Sequence, residues 1–206
     1  MHLAELRLEN LRLFESLELE LGPGINLLTG TNGSGKTSLL EGVYLLSHGR
    51  SFRTASRDVL SRLGGGSASV FGRIVSANGT ARRIGLQRQG ARWLARLDGQ
   101  TPGGLADLLR EIAVVCFEPG SHALISGPSE ERRSFIDWAL FHVEPKFLVI
   151  SRRYLRALKQ RNVLLRTGAD RNEFESWEVE LAAAGEQVTA LRQSYLQRWR
   201  PVLLAI

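Results

Sequence analysis

Eight residues, Gly30-Thr31-Asn32-Gly33-Ser34-Gly35-Lys36-Thr37, restrict the fold of this chain more than any other stretch. They match the phosphate-loop pattern GxxxxGK[ST] at every fixed position. Upstream, residues 25–29 read as a short buried strand. Downstream, residues 38–46 put Leu39, Leu40, Val43 and Leu46 on one helical face, and Gly49 is placed to stop the helix. Strand, glycine loop and helix N-terminus together make a site rather than a chance pattern. Gly30, Gly33 and Gly35 let the backbone wrap closely and aim its N–H groups at phosphate oxygens. The helix start adds unpaired donors and the positive end of its dipole. In that frame Thr31, Asn32 and Ser34 complete the cradle, Lys36 reaches the β- and γ-phosphates, and the Thr37 hydroxyl is the candidate ligand for Mg²⁺.

The chain of 206 residues has room for one large or two small domains. Its net charge of +6 and pI near 10.2 suit a polyanionic partner beyond a nucleotide. A single cysteine, Cys116, excludes an internal disulfide and lies in an apolar run expected to bury it. No stretch approaches 18 uncharged apolar residues and no signal pattern opens the chain, which predicts a cytoplasmic protein without a membrane partner.

Leu6 and Leu8 alternate with Glu5, Arg7 and Glu9, and Leu17, Leu19 and Leu21 alternate with Glu18 and Glu20. This predicts an antiparallel pair with one wet face. Arg50, Arg53 and Arg57 form a basic turn after the first helix, fit either for phosphate or DNA contact or for plain solvation. From Val70 to Gln100 short strands alternate with the turn dipeptides Asn78-Gly79, Gln89-Gly90 and Asp98-Gly99. A helix over 105–111 and a continuous buried strand over 112–117 follow. Glu118 at that strand's end imitates a metal-holding acid, although Pro119 stands where a second acid is usual. Residues 60–66 resemble a serine-glycine clamp motif but lead into a strand instead of a helix. The stretch 124–133 imitates the same motif and does open a helix, with Ser129 as its cap, but Pro128 breaks the pattern.

The last third reads as helix: 146–167, closed by Gly168, then 173 to the end. On the first of these, Phe147, Ile150, Tyr154, Leu155, Leu158 and Leu165 share a face. Arg152, Arg156, Lys159 and Arg166 fall within about 80° of one another on a different stripe. Residues 146–171 hold eight basic residues against one acid, Asp170, a net of +7. Such a stripe suits contact with a phosphate backbone without reading of bases; a solvated outer face is the plain alternative.

Several stretches occur in an order that resembles the RecF family of bacterial ABC-type ATPases, relatives of the SMC proteins. They are Leu8-Glu9-Asn10-Leu11-Arg12, the phosphate loop, Ser51-Phe52-Arg53-Thr54, Glu131-Arg132-Arg133-Ser134-Phe135-Ile136-Asp137, and the run from Tyr154 to Asn162. The resemblance covers the whole chain. It implies an α/β phosphate-loop ATPase lobe, with a mixed sheet and an antiparallel meander, plus an inserted α-helical arm. Residues 1–118 would be the first part of the lobe and 119–206 the arm. It further implies ATP and Mg²⁺ as ligands, single-stranded or gapped DNA as substrate, an ATP-dependent homodimer, a RecR-type partner, and roles in RecA loading and the SOS response.

The sequence departs from the family pattern after the arm, where the serine-glycine signature and a strand-borne Asp should follow. Neither is found, and the apolar residues 201–206 read as a cut. Weak ATP binding without turnover is therefore expected. A transporter-type ATPase subunit is the competing class, distinguished by a signature within a compact lobe and by the lack of a +7 arm.

Overall fold

Alternation of leucine with charge builds the sheet. The computed structural model describes every residue except Ala55, Arg57, Ala91, Ala169, Asp170 and Ile206, and the side chains of Pro119, Arg171, Asn172 and Glu173 are likewise outside the description. Arg57 of the basic turn, Asp170 of the arm and the terminal Ile206 thus lie outside the described residues. Strands β1 (His2–Leu11) and β2 (Phe14–Glu20) pair antiparallel, with Leu6 opposite Leu19 and Leu8 opposite Leu17. Ala4, Leu6, Leu8 and Leu11 turn inward while Arg7 and Glu9 stay wet, as a period of two requires. Strands β3 (Ser69–Val75), β4 (Ala81–Gln89) and β5 (Arg92–Leu97) extend the sheet in the order β2-β1-β3-β4-β5. Every pairing among the described residues is antiparallel.

The chain divides into two compact units, Met1–Cys116 and Phe117–Ile206. In the first, helix α1 (Lys36–His48) and the short α2 (Leu105–Leu109) cover the inner face of the sheet. The α1 backbone approaches β1 so closely that a Cβ at Gly42 would sit 2.5 Å from a Leu8 methyl. Leu39, Leu45 and Leu46 are buried, whereas Leu40 is exposed and Val43 only half-buried, so the covered face is rotated from the expected one. Gly49 ends the helix in the left-handed region, its N–H donating to the Leu45 carbonyl.

The two expected buried strands are not strands here. Residues 25–29 carry no sheet pairing, and Ile25 and Leu27 stand in solvent. Asn26 instead stitches a turn: its Oδ1 accepts the Gly22 N–H at 2.9 Å, and its Nδ2 donates to the Gly22 and Gly24 carbonyls. Residues 112–117 bury only alternate side chains, with Ile112 and Val114 against α1 and α2 while Val115 and Phe117 face water. The Val114 N–H donates to the Ser47 hydroxyl at 3.0 Å, not to a neighbouring strand. Cys116 is half-buried.

The second unit opens with a 3-10 turn (Pro119–His122) and α3 (Ala123–Ser126), followed by α4 (Ser129–Val143), α5 (Phe147–Thr167) and α6 (Arg171–Leu204). The α4 cap is Pro128 rather than Ser129, because proline holds the extended geometry of that position (φ −62°, ψ 158°); the Ser129 hydroxyl instead accepts from Arg133. Helices α5 and α6 pack along each other where small residues allow it, with Ala157 and Ala184 fully buried and Gly185 against the Tyr154 ring. Phe147, Leu140 and Val188 form the core of this unit, with Ile150 and Tyr154 packed on it. Leu155 and Leu165, expected on the same face, are exposed. Arg192 clamps Asp137 with two 2.7 Å hydrogen bonds, fixing α6 to α4.

Candidate functional site

Backbone conformation at the loop is what its glycines supply. Gly30, Gly33 and Gly35 have φ of 152°, 83° and 99°, a region that costs other residues strain. Gly33 has open space around it, so conformation alone requires glycine there. Gly35 is doubly restricted, since a Cβ would lie 2.6 Å from the Phe14 ring. Gly35→Ala should therefore displace the helix start and abolish ATP retention on filters, while Gly64→Ala, at another left-handed glycine in open space, should leave it intact.

Helix α1 begins at Lys36 with no side-chain cap and no acid in its first turn. The first-turn N–H groups consequently have no partner within the helix, and their charge is not cancelled. Lys36 Nζ donates to the carbonyls of Gly30 (2.7 Å) and Thr31 (2.8 Å). These two bonds hold the ammonium against the loop backbone. Thr31, Asn32, Ser34 and Thr37 are exposed around the same turn. All eight predicted loop residues thus lie in one turn and the helix start that follows it.

The structure also brings in residues to which the sequence assigned no role at the loop. The tip of the β1–β2 hairpin lies over the helix start, with Leu13 and Phe14 against Gly35. Asn10 and Arg12 in that tip adopt positive φ (47° and 57°). The Arg12 guanidinium grips Glu41 of α1 through Nε (2.8 Å) and Nη2 (2.7 Å) and reaches the Val59 carbonyl through Nη1. Glu41 is fully buried, and the Ser51 hydroxyl donates to it as well. Burial, the largest single influence, raises the Glu41 pKa; hydrogen bonds from Arg12 and Ser51, with the charges of Arg12 and Arg53, outweigh it and hold the carboxyl below its ordinary value. The signal for this pair was a carboxylate on the leucine-rich side of α1 and an arginine inside an apolar hairpin.

Two acids, Glu41 in the first unit and Glu118 in the second, already have partners of their own. Glu41 is committed to Arg12, and the Glu118 carboxylate accepts the Ser121 N–H in a capping box. Among the described residues no group of three His, Cys, Asp or Glu side chains converges. Exposed Thr37 offers one hard oxygen of the kind Mg²⁺ takes alongside phosphate and water.

On the arm, Arg152, Arg156, Lys159 and Arg166 are all exposed on α5. Other cations of that helix are neutralised from α6: Arg153 by Glu180 (2.9 and 3.0 Å) and Arg161 by Glu178 (3.2 Å). Arg156 stands over the Trp177 ring, and Arg152, Lys159 and Arg166 take no ion pair among the described residues. The stripe is therefore left with its charge. In the basic turn, Arg50 and Arg53 are exposed.

Residues 5–178 match the AAA domain family. The DNA replication and repair protein RecF of Xanthomonas euvesicatoria pv. vesicatoria is 48% identical over 210 residues, covering all of this chain and 57% of that protein. The RecF of Pseudomonas paraeruginosa is 38% identical over 98% of this chain and 55% of its own length. The chain therefore spans a little over half the length of these relatives. A solved structure of the recombination mediator protein RecF-ATP in the RecFOR pathway is similar with a TM-score of 0.87 and 26% identity, over 95% of this chain and 54% of that one. Among the described residues no helix is long and apolar enough to cross a membrane.

Proposed function

This chain belongs to the AAA domain family, and from that premise we propose that it is the ATP- and DNA-binding part of a RecF-type replication and repair protein. The observation that carries the reading is the loop itself: three left-handed glycines, an uncapped helix start and Lys36 in one turn. ATP binds with its phosphate chain along residues 30–37. The amides of the first α1 turn and Lys36 neutralise the β- and γ-phosphates, and Thr37 supplies a ligand to Mg²⁺. When bound, the metal screens the phosphate oxygens from one another. The relatives named above act in DNA replication and repair, which favours DNA over a transporter as the object of the nucleotide switch.

DNA, single-stranded or gapped, meets the α5 stripe of Arg152, Arg156, Lys159 and Arg166 through its phosphates. A cytoplasmic, ATP-dependent homodimer with a RecR-type partner completes the proposal, as does the division into a lobe (1–118) and an inserted arm (119–206). The assignment is tested with Lys36→Ala. Labelled ATP retained by the native chain should be lost from this variant while its thermal melt is unchanged. Retention by a folded Lys36→Ala chain contradicts the assignment. Thr37→Val should keep ATP and lose most of the Mg²⁺ dependence of that binding.

A further inference from the structure

We propose that Glu41, acting through Ser51, is a positioning residue that couples the phosphate loop to the basic turn at residues 50–54, an inference that rests on the nucleotide reading above. Glu41 follows Thr37 by four residues, one helical turn, so the two lie on the same stripe of α1. The carboxylate is fully buried yet carries a charge, which is sustainable only with partners on both oxygens. Arg12 supplies two of them from the hairpin tip, and Ser51 supplies another from the basic turn. Arg53 adds a cation 3.9 Å away.

Ser51 is a hub rather than an ornament. Its hydroxyl hydrogen goes to Glu41, while its oxygen accepts the N–H groups of Arg53 (2.9 Å) and Thr54 (3.2 Å). The shape of the turn, and the direction in which exposed Arg53 points, therefore depend on where Glu41 stands. The other side of Glu41 is stiff. Arg12 and Arg62 exchange backbone hydrogen bonds with Leu60 and Asn10, and Asn10 and Arg12 hold left-handed conformations. A shift of the first α1 turn on phosphate binding cannot be absorbed at Arg12 and passes to Ser51. The basic turn then presents Arg53 differently in the empty and filled states.

Trypsin cleavage after Arg50 and Arg53, with fragments identified by mass, reads this directly. In the native chain, ATP with Mg²⁺ should change the cleavage rate at this turn by about fivefold or more, the size of an ordinary coupling. In Ser51→Ala, ATP should still be retained, but the rates with and without it should become equal. A purely structural role for Ser51 predicts otherwise: cleavage rises in both states and their ratio persists. A preserved ratio in Ser51→Ala overturns the proposal, as does a native chain that retains ATP with no change at the turn. A native chain that retains no ATP overturns the nucleotide reading instead, so the two failures are distinguishable. Glu41→Gln, which keeps the shape but not the charge, should also equalise the rates, and cleavage on α5 serves as the internal reference.

Discussion

Reversing Arg152, Arg156, Lys159 and Arg166 together to Glu is expected to remove most of the affinity for DNA, equally for every sequence tested. These four side chains are exposed on one stripe of α5, while Arg153 and Arg161 are taken by glutamates of α6. If each of the four meets a phosphate, the slope of log affinity against log salt should fall by about one unit per lost contact, hence by about four. Arg153→Glu, which breaks an exposed pair with Glu180, should change the slope little. An unchanged slope in the fourfold variant would place the DNA surface elsewhere, with Arg50 and Arg53 next in line. A fluorescence titration of labelled single-stranded and gapped DNA at several salt concentrations decides it.

Glu41→Ala is expected to cost about 3–5 kcal/mol, because it strands the Arg12 guanidinium in a largely covered position. Against a typical domain stability of roughly 5–15 kcal/mol, that is enough to lower the melting temperature steeply or to prevent folding. The pH dependence follows from the direction of the Glu41 shift. Its carboxyl is held below the ordinary range in the folded chain, so the unfolded chain takes up a proton more readily. The stabilisation is full at neutral pH and is lost as the pH falls through and then below the usual carboxylate range. Glu41→Gln should flatten that part of the curve of stability against pH. Chemical denaturation at a series of acidic pH values measures both effects.

Local rules explain what could be read in advance. The loop glycines were legible because left-handed φ favours glycine strongly, and all three positions adopt it. The meander was legible because Asn78-Gly79 and Asp98-Gly99 mark tight turns, and Leu6 and Leu8 alternate with charge. The stripe on α5 followed from helical angle alone. Residues 25–29 and 112–117 were misread because an apolar run announces a need for cover without naming the partner. Ser47 then takes the Val114 N–H that a strand neighbour would have accepted, and Asn26 spends its side chain on the turn at Gly22 and Gly24. On α5 the apolar face was drawn too wide, since Ala157, a small residue with little hydrophobic weight, marks the true contact line. Glu41 escaped notice for a related reason. A glutamate in a helix reads as solvated, and only the position of Arg12 in space reveals why this one is buried.

Backbone amide chemical shifts reveal whether residues 30–37 hold the phosphates of a nucleotide. On adding ATP with Mg²⁺ to nitrogen-15-labelled chain, the amides of Gly33, Gly35, Lys36 and Thr37 should move together and saturate. Adenosine, which lacks phosphates, should leave them in place, and so should ATP added to Lys36→Ala. If ATP saturates the native chain while these four amides stay fixed and others move, the nucleotide lies elsewhere and residues 30–37 are not its phosphate site.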